Sequence, residues 1–422
     1  MISVDHAAVD ELVDLAPFEP SARDPFDHRR AAHLLRRAGF GGSPGEVERA
    51  VADGLAHTVE RLVESDDRGA RVRDLESVRD VVITLDDLHA LQAWWVQRMV
   101  ASEAPLREKL ALFWHGHFAT SHAKVQSVAL MARQLALFDQ HAFGPIDELA
   151  LAISRDPAML RWLDSRSNHK RHPNENYARE LMELFLLGIG HYDEHDVQEA
   201  ARAFTGWHEQ DGEFHFDPSA HDGGDKTVFG RSGAWDGDDI VRLCLEHEAA
   251  PRFLATRLLR HFLHPEPPAA AIEAFARAIV AHDFDLRAPL SMLFRSRAFF
   301  TRAAYRALVK SPVELLVGAL RVLELRDNGK VVAETLAHMG QALFSPPTVK
   351  GWEGNFAWIT PTSWLVRANA LSAVAEHAAL KVTRVADAIA VLLDGELERD
   401  VVAARAPARD AVLTMLPEFH LA

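Results

Sequence analysis

A single cysteine, three tyrosines and no long apolar run are the scarcities of this 422-residue chain, and each excludes something. With Cys244 alone there is no intramolecular disulfide and no thiolate cluster, so a metal site would have to be built from His, Asp or Glu. Cys244 itself reads as a small buried apolar residue. No segment approaches the roughly 18 apolar residues of a membrane-spanning helix. Lys and Arg total 46 against 61 acidic residues, a formal net charge of −15, and nowhere do they gather into a basic footprint, so nucleic acid is not an expected partner. The first residues, MISVDHAAVDELVDLAPFEPSARDPF, carry neither a basic n-region nor an apolar h-region. The expected location is cytoplasmic. Also missing are a Gly-rich loop after a strand, a Walker motif, HExxH, G-x-S-x-G and the paired E-x-x-H of di-iron bundles. Nucleotide hydrolases, zincins and α/β hydrolases are demoted accordingly.

What is present is helical. Hydrophobic content of 48% is ample for a core, and apolar residues recur at helical spacing along most of the chain. DHRRAAHLLRRAGFGG predicts a helix ended at Gly39. SPGEVERAVADGLAHTVERLV predicts the next, with Ser43 as N-cap, Pro44 at N1 and Glu46 closing a capping box. Further helices are expected over 146–163, 174–188, 195–205, 237–247, 250–263, 268–281, 287–296, 311–325, 330–343, 363–381, 384–394 and 408–416. The exception is 207–230, where Asp211-Gly212 separates two short runs as a hairpin turn does. The fold class is therefore mainly α: a single multi-helix domain over 30–422 with a small β-hairpin excursion near 207–230, preceded by an N-terminal extension, 1–29.

Four stretches could carry chemistry. In NENYARELMELFLLGIG (174–190), Asn176, Glu180 and Glu183 fall on one helical face and Glu175–Arg179 form an i,i+4 pair beside it. Glu183 lies among large apolar residues, where a lone carboxylate is costly, so a partner, a proton or a metal is required. In FWHGHFATS (113–121), His115 and His117 point about 200° apart on a regular helix and share a target only if the helix breaks near Gly116. In AHDGGDKTVFG (220–230), His221, Asp222 and Lys226 surround a Gly-Gly turn. In SPPTVKGWEGNFAWITPTSW (345–364), three tryptophans imply a loop pinned to the body, with Lys350 and Asn355 facing a ligand if it walls a pocket.

Taken in order, HLLRRAGFGGSPGEVERAVADGL, LQAWWVQRM, PLREKLALFWHGHFATSHAKV, SRDPAMLRWLD, the 174–207 block, HDGGDKTVFG, KSPVELLVGALR and PPTVKGWEGNFAW resemble the bacterial domain of unknown function 1800 family. The resemblance runs from about residue 30 to the final MLPEFHLA. It implies no established reaction, cofactor or substrate. Many relatives carry an export signal, so the resemblance leaves export open for this chain. It gives weight to the HxH at His115 and His117 and to the carboxylates at Glu175, Glu180 and Glu183.

Three functional readings follow. The first is an enzyme in which His115, His117, His221 and a glutamate hold a divalent metal while another glutamate acts as base. In the second, Glu180 or Glu183 donates a proton without a metal, as in helical enzymes acting on glycans. The third is a non-catalytic scaffold or protein-interaction module, its charges an ion-pair network. All three place the site between the 106–118 and 174–188 helices, closed by the loop around His221.

Overall fold

The structure, a computed structural model, describes residues 11–66, 68–165, 168–326, 329–379 and 420–422. Its helices enclose a continuous apolar core that runs from Leu12 to Leu371 and includes Trp95, Trp114, Phe118, Phe138 and Phe262, all essentially without solvent contact. The helix starts are written in the sequence. Ser43 Oγ accepts from the Glu46 N–H at 3.3 Å while Glu46 Oε2 accepts from the Ser43 N–H at 2.8 Å, so the expected capping box opens the Pro44–Glu64 helix. Ser311 and Glu314 do the same for Pro312–Val322.

Several expected elements are divided. The 146–163 helix is two, Ile146–Ser154 and Pro157–Trp162. Pro157 offers no N–H to continue the ladder, and Asp156 caps the second helix by accepting from the Met159 N–H at 2.9 Å. The 174–188 helix is regular over Glu175–Glu180 and then widens into a π-helix, Leu181–Leu186, closed by the Leu187 N–H reaching back five residues to Met182 O at 3.0 Å. The β excursion holds two hairpins instead of one. β1 (Trp207–Gln210) pairs antiparallel with β2 (Glu213–Phe216) across Asp211-Gly212, as expected. β3 (Lys226–Val228) pairs with β4 (Arg231–Gly233) across Phe229-Gly230. Phe229 is an unusual residue for a turn with positive φ. Tertiary contacts hold it there: its N–H donates to Asp196 Oδ1 at 2.8 Å, and its ring packs on His247.

Buried ion pairs tie the helices together. Lys109, in the Pro105–His117 helix, places all three ammonium protons: on Arg36 O (3.2 Å), Gly39 O (2.9 Å) and Glu314 Oε1 (2.8 Å). Arg98 and Glu108 pair at 2.9 Å beneath the same helix. Cys244 is buried, as expected. No helix among the described residues is long and apolar enough to cross a membrane. The helices expected over 384–394 and 408–416 lie outside the described residues.

Candidate functional site

The Pro105–His117 helix does not break at Gly116; it continues through His117, so the two imidazoles diverge. His115 Nε2 accepts from the Phe344 N–H at 3.0 Å, within a box of Trp95, Phe344 and Trp352 rings. His117 Nε2 donates to Phe185 O at 2.9 Å, at the end of the π-helix. Both rings are buried, and burial depresses each from 6.5 to about 3, so both are neutral at pH 7. These histidines do not converge on a shared target.

The carboxylates fall into two groups. Glu175 is paired with Arg179 at 2.8 Å, and Arg179 also binds Glu194 at 2.5 Å, forming a closed surface network. Glu180 and Glu183 are different. Both are half-buried, one at the end of the regular helix and the other in the π-helix. The Tyr192 O–H donates to Glu183 Oε2 at 3.1 Å. Burial and the neighbouring charge of Glu183 raise the Glu180 carboxyl above its ordinary range, against the opposing pull of Lys350 and Arg179. The charge of Lys350, in the 345–364 loop, is thus felt at Glu180.

That loop is pinned, as its tryptophans suggested. Gly351 has φ +75°, and its Cα sits so close to Gly116 O that a Cβ would collide with it. Asn355 Oδ1 accepts from the Val309 N–H at 3.0 Å, Trp358 is buried, and Ser363 Oγ donates to Trp358 O at 2.8 Å.

His221, Asp222 and Lys226 gather at the end of the Glu194–Ala203 helix. His221 Nδ1 donates to Thr205 O at 2.8 Å, Asp222 binds Arg202 at 2.8 Å, and the Lys226 ammonium donates to Asp222 O and Gly224 O. None of these hydrogen bonds reaches Glu180 or Glu183, so the loop's anchorage belongs to the 194–203 helix and not to the expected closure of the glutamate site. Among the described residues, one group of three His, Asp or Glu side chains brings its ligand atoms close together: Asp193, His195 and Asp196. There Asp193 and Asp196 cap one another's backbone, and Asp196 also holds Phe229.

The sequence reading passed over a cleft of about 380 Å³ between the Pro105–His117 helix, the Ala249–Phe262 helix and the 345–358 loop, lined by Arg257, Arg260, His261, Trp352, Asn355 and Trp358, among others. Its signal was available. Arg257, Arg260 and His261 stand at i, i+3 and i+4 on one helical face with no acidic residue within a turn. No curated protein and no solved structure matches the chain. The family model described as "Protein of unknown function (DUF1800)" matches residues 33–418, nearly the whole length that the sequence blocks span, and the chain belongs to that family.

Proposed function

We propose that the protein is an acid–base enzyme acting on glycans, with Glu180 as proton donor and Glu183 as the oriented carboxylate. One observation carries this reading: two half-buried carboxyls, three residues apart across the junction with a π-helix, one raised above its ordinary range and both left out of the ion pairs that occupy Glu175. A raised carboxyl keeps its proton nearer neutral pH and can give it to a leaving oxygen. A carboxylate held by Tyr192 can take a proton from water. Lys350 opposite Glu180 supplies a positive charge as the proton departs. A metal-dependent version draws less support, because His115 and His117 spend their Nε2 atoms on separate backbone groups.

The scaffold reading is favoured for the residues already paired, Glu175–Arg179–Glu194 and Glu199–Arg202–Asp222. The test is turnover of an oligosaccharide panel by the wild type, Glu180→Gln and Glu183→Gln. The expected result is a loss of about 10²-fold or more in each variant with an unchanged circular dichroism spectrum. Undiminished turnover in Glu180→Gln, or cleavage of no glycan by the wild type, defeats the proposal.

A further inference from the structure

We infer that the cleft between the 105–117 helix, the 249–262 helix and the 345–358 loop is a binding site for a small organic oxyanion, its acidic group held by Arg257 and Arg260 and its flat body laid against Trp352. This site is separate from the glutamate pair, neither member of which lines the cleft; Glu180 feels instead the charge of Lys350, two residues before Trp352 in the same loop.

The argument begins with charge that has no counterpart. Among the described residues, neither Arg257 nor Arg260 has a hydrogen bond or an ion pair. Arg257 is largely desolvated, and burial together with the like charge of Arg260 lowers its affinity for its proton. A guanidinium has five donors in a planar fork suited to two oxygens of one anion, and leaving it desolvated and unpaired is costly. The neighbouring His261 ring packs against Phe113 and Phe262 and has a buried Nε2 with no partner. It is held neutral at about 3 by burial and by the charge of Lys109, so it can offer a hydrogen bond without adding charge of its own.

The carboxylates in the wall do not neutralise this group. Glu314 is already committed on both oxygens, Oε1 to Lys109 and Oε2 to the Ser311 N–H. Burial works to raise its pKa, and the charge of Lys109 with those hydrogen bonds outweighs it and holds the group at about 2. Glu353 is exposed on the rim. Behind Glu314 lies Arg367, fully buried, with one bond to Lys310 O and its Nε and one terminal nitrogen unsatisfied. Lys109 and Arg367 thus attend Glu314, while Arg257 and Arg260 line the same cleft, in a chain whose net charge is −15. The local sign opposes the global one, as expected where a protein recruits an anion.

The rest of the wall selects the ligand's body. Trp352 packs edge-on against His115 and lines the cleft, and Trp358 is buried beside it. Asn355 spends its carbonyl on Val309, which leaves its amide donors for an acceptor on the ligand. A cleft of about 380 Å³ is at the small end of small-molecule sites, the size for one ring bearing one acidic group.

The experiment uses the full chain and four probes, phenyl phosphate, benzoate, inorganic phosphate and neutral phenol, followed by calorimetry and thermal shift. Saturable binding of phenyl phosphate or benzoate is expected, weakened by added salt, with the stronger of the two identifying the acidic group. Arg257→Gln should weaken it at least tenfold while leaving the melting temperature of the unliganded protein unchanged or higher, since an unpaired buried cation has been removed. Trp352→Ala should weaken the phenyl probes and spare inorganic phosphate. The proposal is overturned if none of the anions binds saturably, if phenol binds as well as they do, if Arg257→Gln binds them normally, or if that variant melts lower because Arg257 had a structural partner.

Discussion

The end of the 105–117 helix and the last turns of the 249–262 helix border one cleft and treat their polar groups in opposite ways. On the first, His115 and His117 are sealed, neutral and each bonded to a backbone group. On the second, Arg257 and Arg260 are charged and unpaired among the described residues, and His261 keeps an idle ring nitrogen. In the motif that stands out in the sequence each ring is tied to a backbone group, with only His117 Nδ1 idle, and the inconspicuous one is left with charged capacity to bind. Unspent capacity is a better guide to a site than residue type.

The largest expected effect tests the seal by pH. His115, His117 and His261 are held at about 3 in the fold by burial and return to about 6.5 when unfolded. Unfolding therefore takes up protons between those values. The stability these residues protect is complete above about pH 6.5 and falls as the pH drops toward 3, by at most about 1.4 kcal/mol per pH unit for each histidine. Asp156, pushed up to about 6 by burial, works in the opposite sense over part of that range and offsets one of the three. Urea midpoints between pH 7.5 and 4.5 should fall steadily. A flat profile would mean that the imidazoles are not sealed.

Next in size, His115→Ala and His117→Ala should each lose about 2–4 kcal/mol in urea unfolding, because the change opens a cavity and strands a buried backbone partner. Unaltered stability, with stoichiometric bound metal in the wild type lost from both variants, would reverse the comparison and restore the metal reading. Gly351→Ala should cost about 1–3 kcal/mol, since a Cβ there collides with Gly116 O and φ is +75°. The loop should also become open to proteolysis after Lys350, which is slow in the wild type. Fast cutting of both proteins alike would show that the loop never docked. The smallest effect belongs to Glu180→Gln. Burial and Glu183 disfavour the Glu180 charge, so the neutral amide should raise the melting temperature at pH 7 by about 1–2 °C. A fall instead would show that the carboxylate is needed by the fold.

Local chemistry was legible in the sequence, and what depends on distant contacts was not. Ser43 with Glu46, and Asp211-Gly212, act within a few residues, so the helix start and the first turn could be read directly. The π-helix at Leu181–Leu186 could not be read, because its composition suits a regular helix and its widening is a matter of packing. The turn at Phe229-Gly230 depends on Asp196 and His247, far off in sequence. Tyr192 on Glu183 and Lys350 toward Glu180 come from other parts of the chain. Arg257 and Arg260 read in sequence as one basic helix face, and only the tryptophan loop, distant in sequence, makes that face the wall of a cleft.

The widened turn over Leu181–Leu186 has a consequence at the level of the gene. A π-turn is what a one-residue insertion leaves when the helix on both sides of it is kept in place. Removal of a single codon, that of Leu184 for example, would let the segment relax to a regular helix. The π-turn absorbs one residue without changing the phase of the flanking turns, so the residues after the deletion keep the faces they now present, including the Phe185 carbonyl that His117 meets. A single-codon deletion that keeps the reading frame is therefore a smaller change here than in a regular helix, where the same loss turns every later side chain by about 100°.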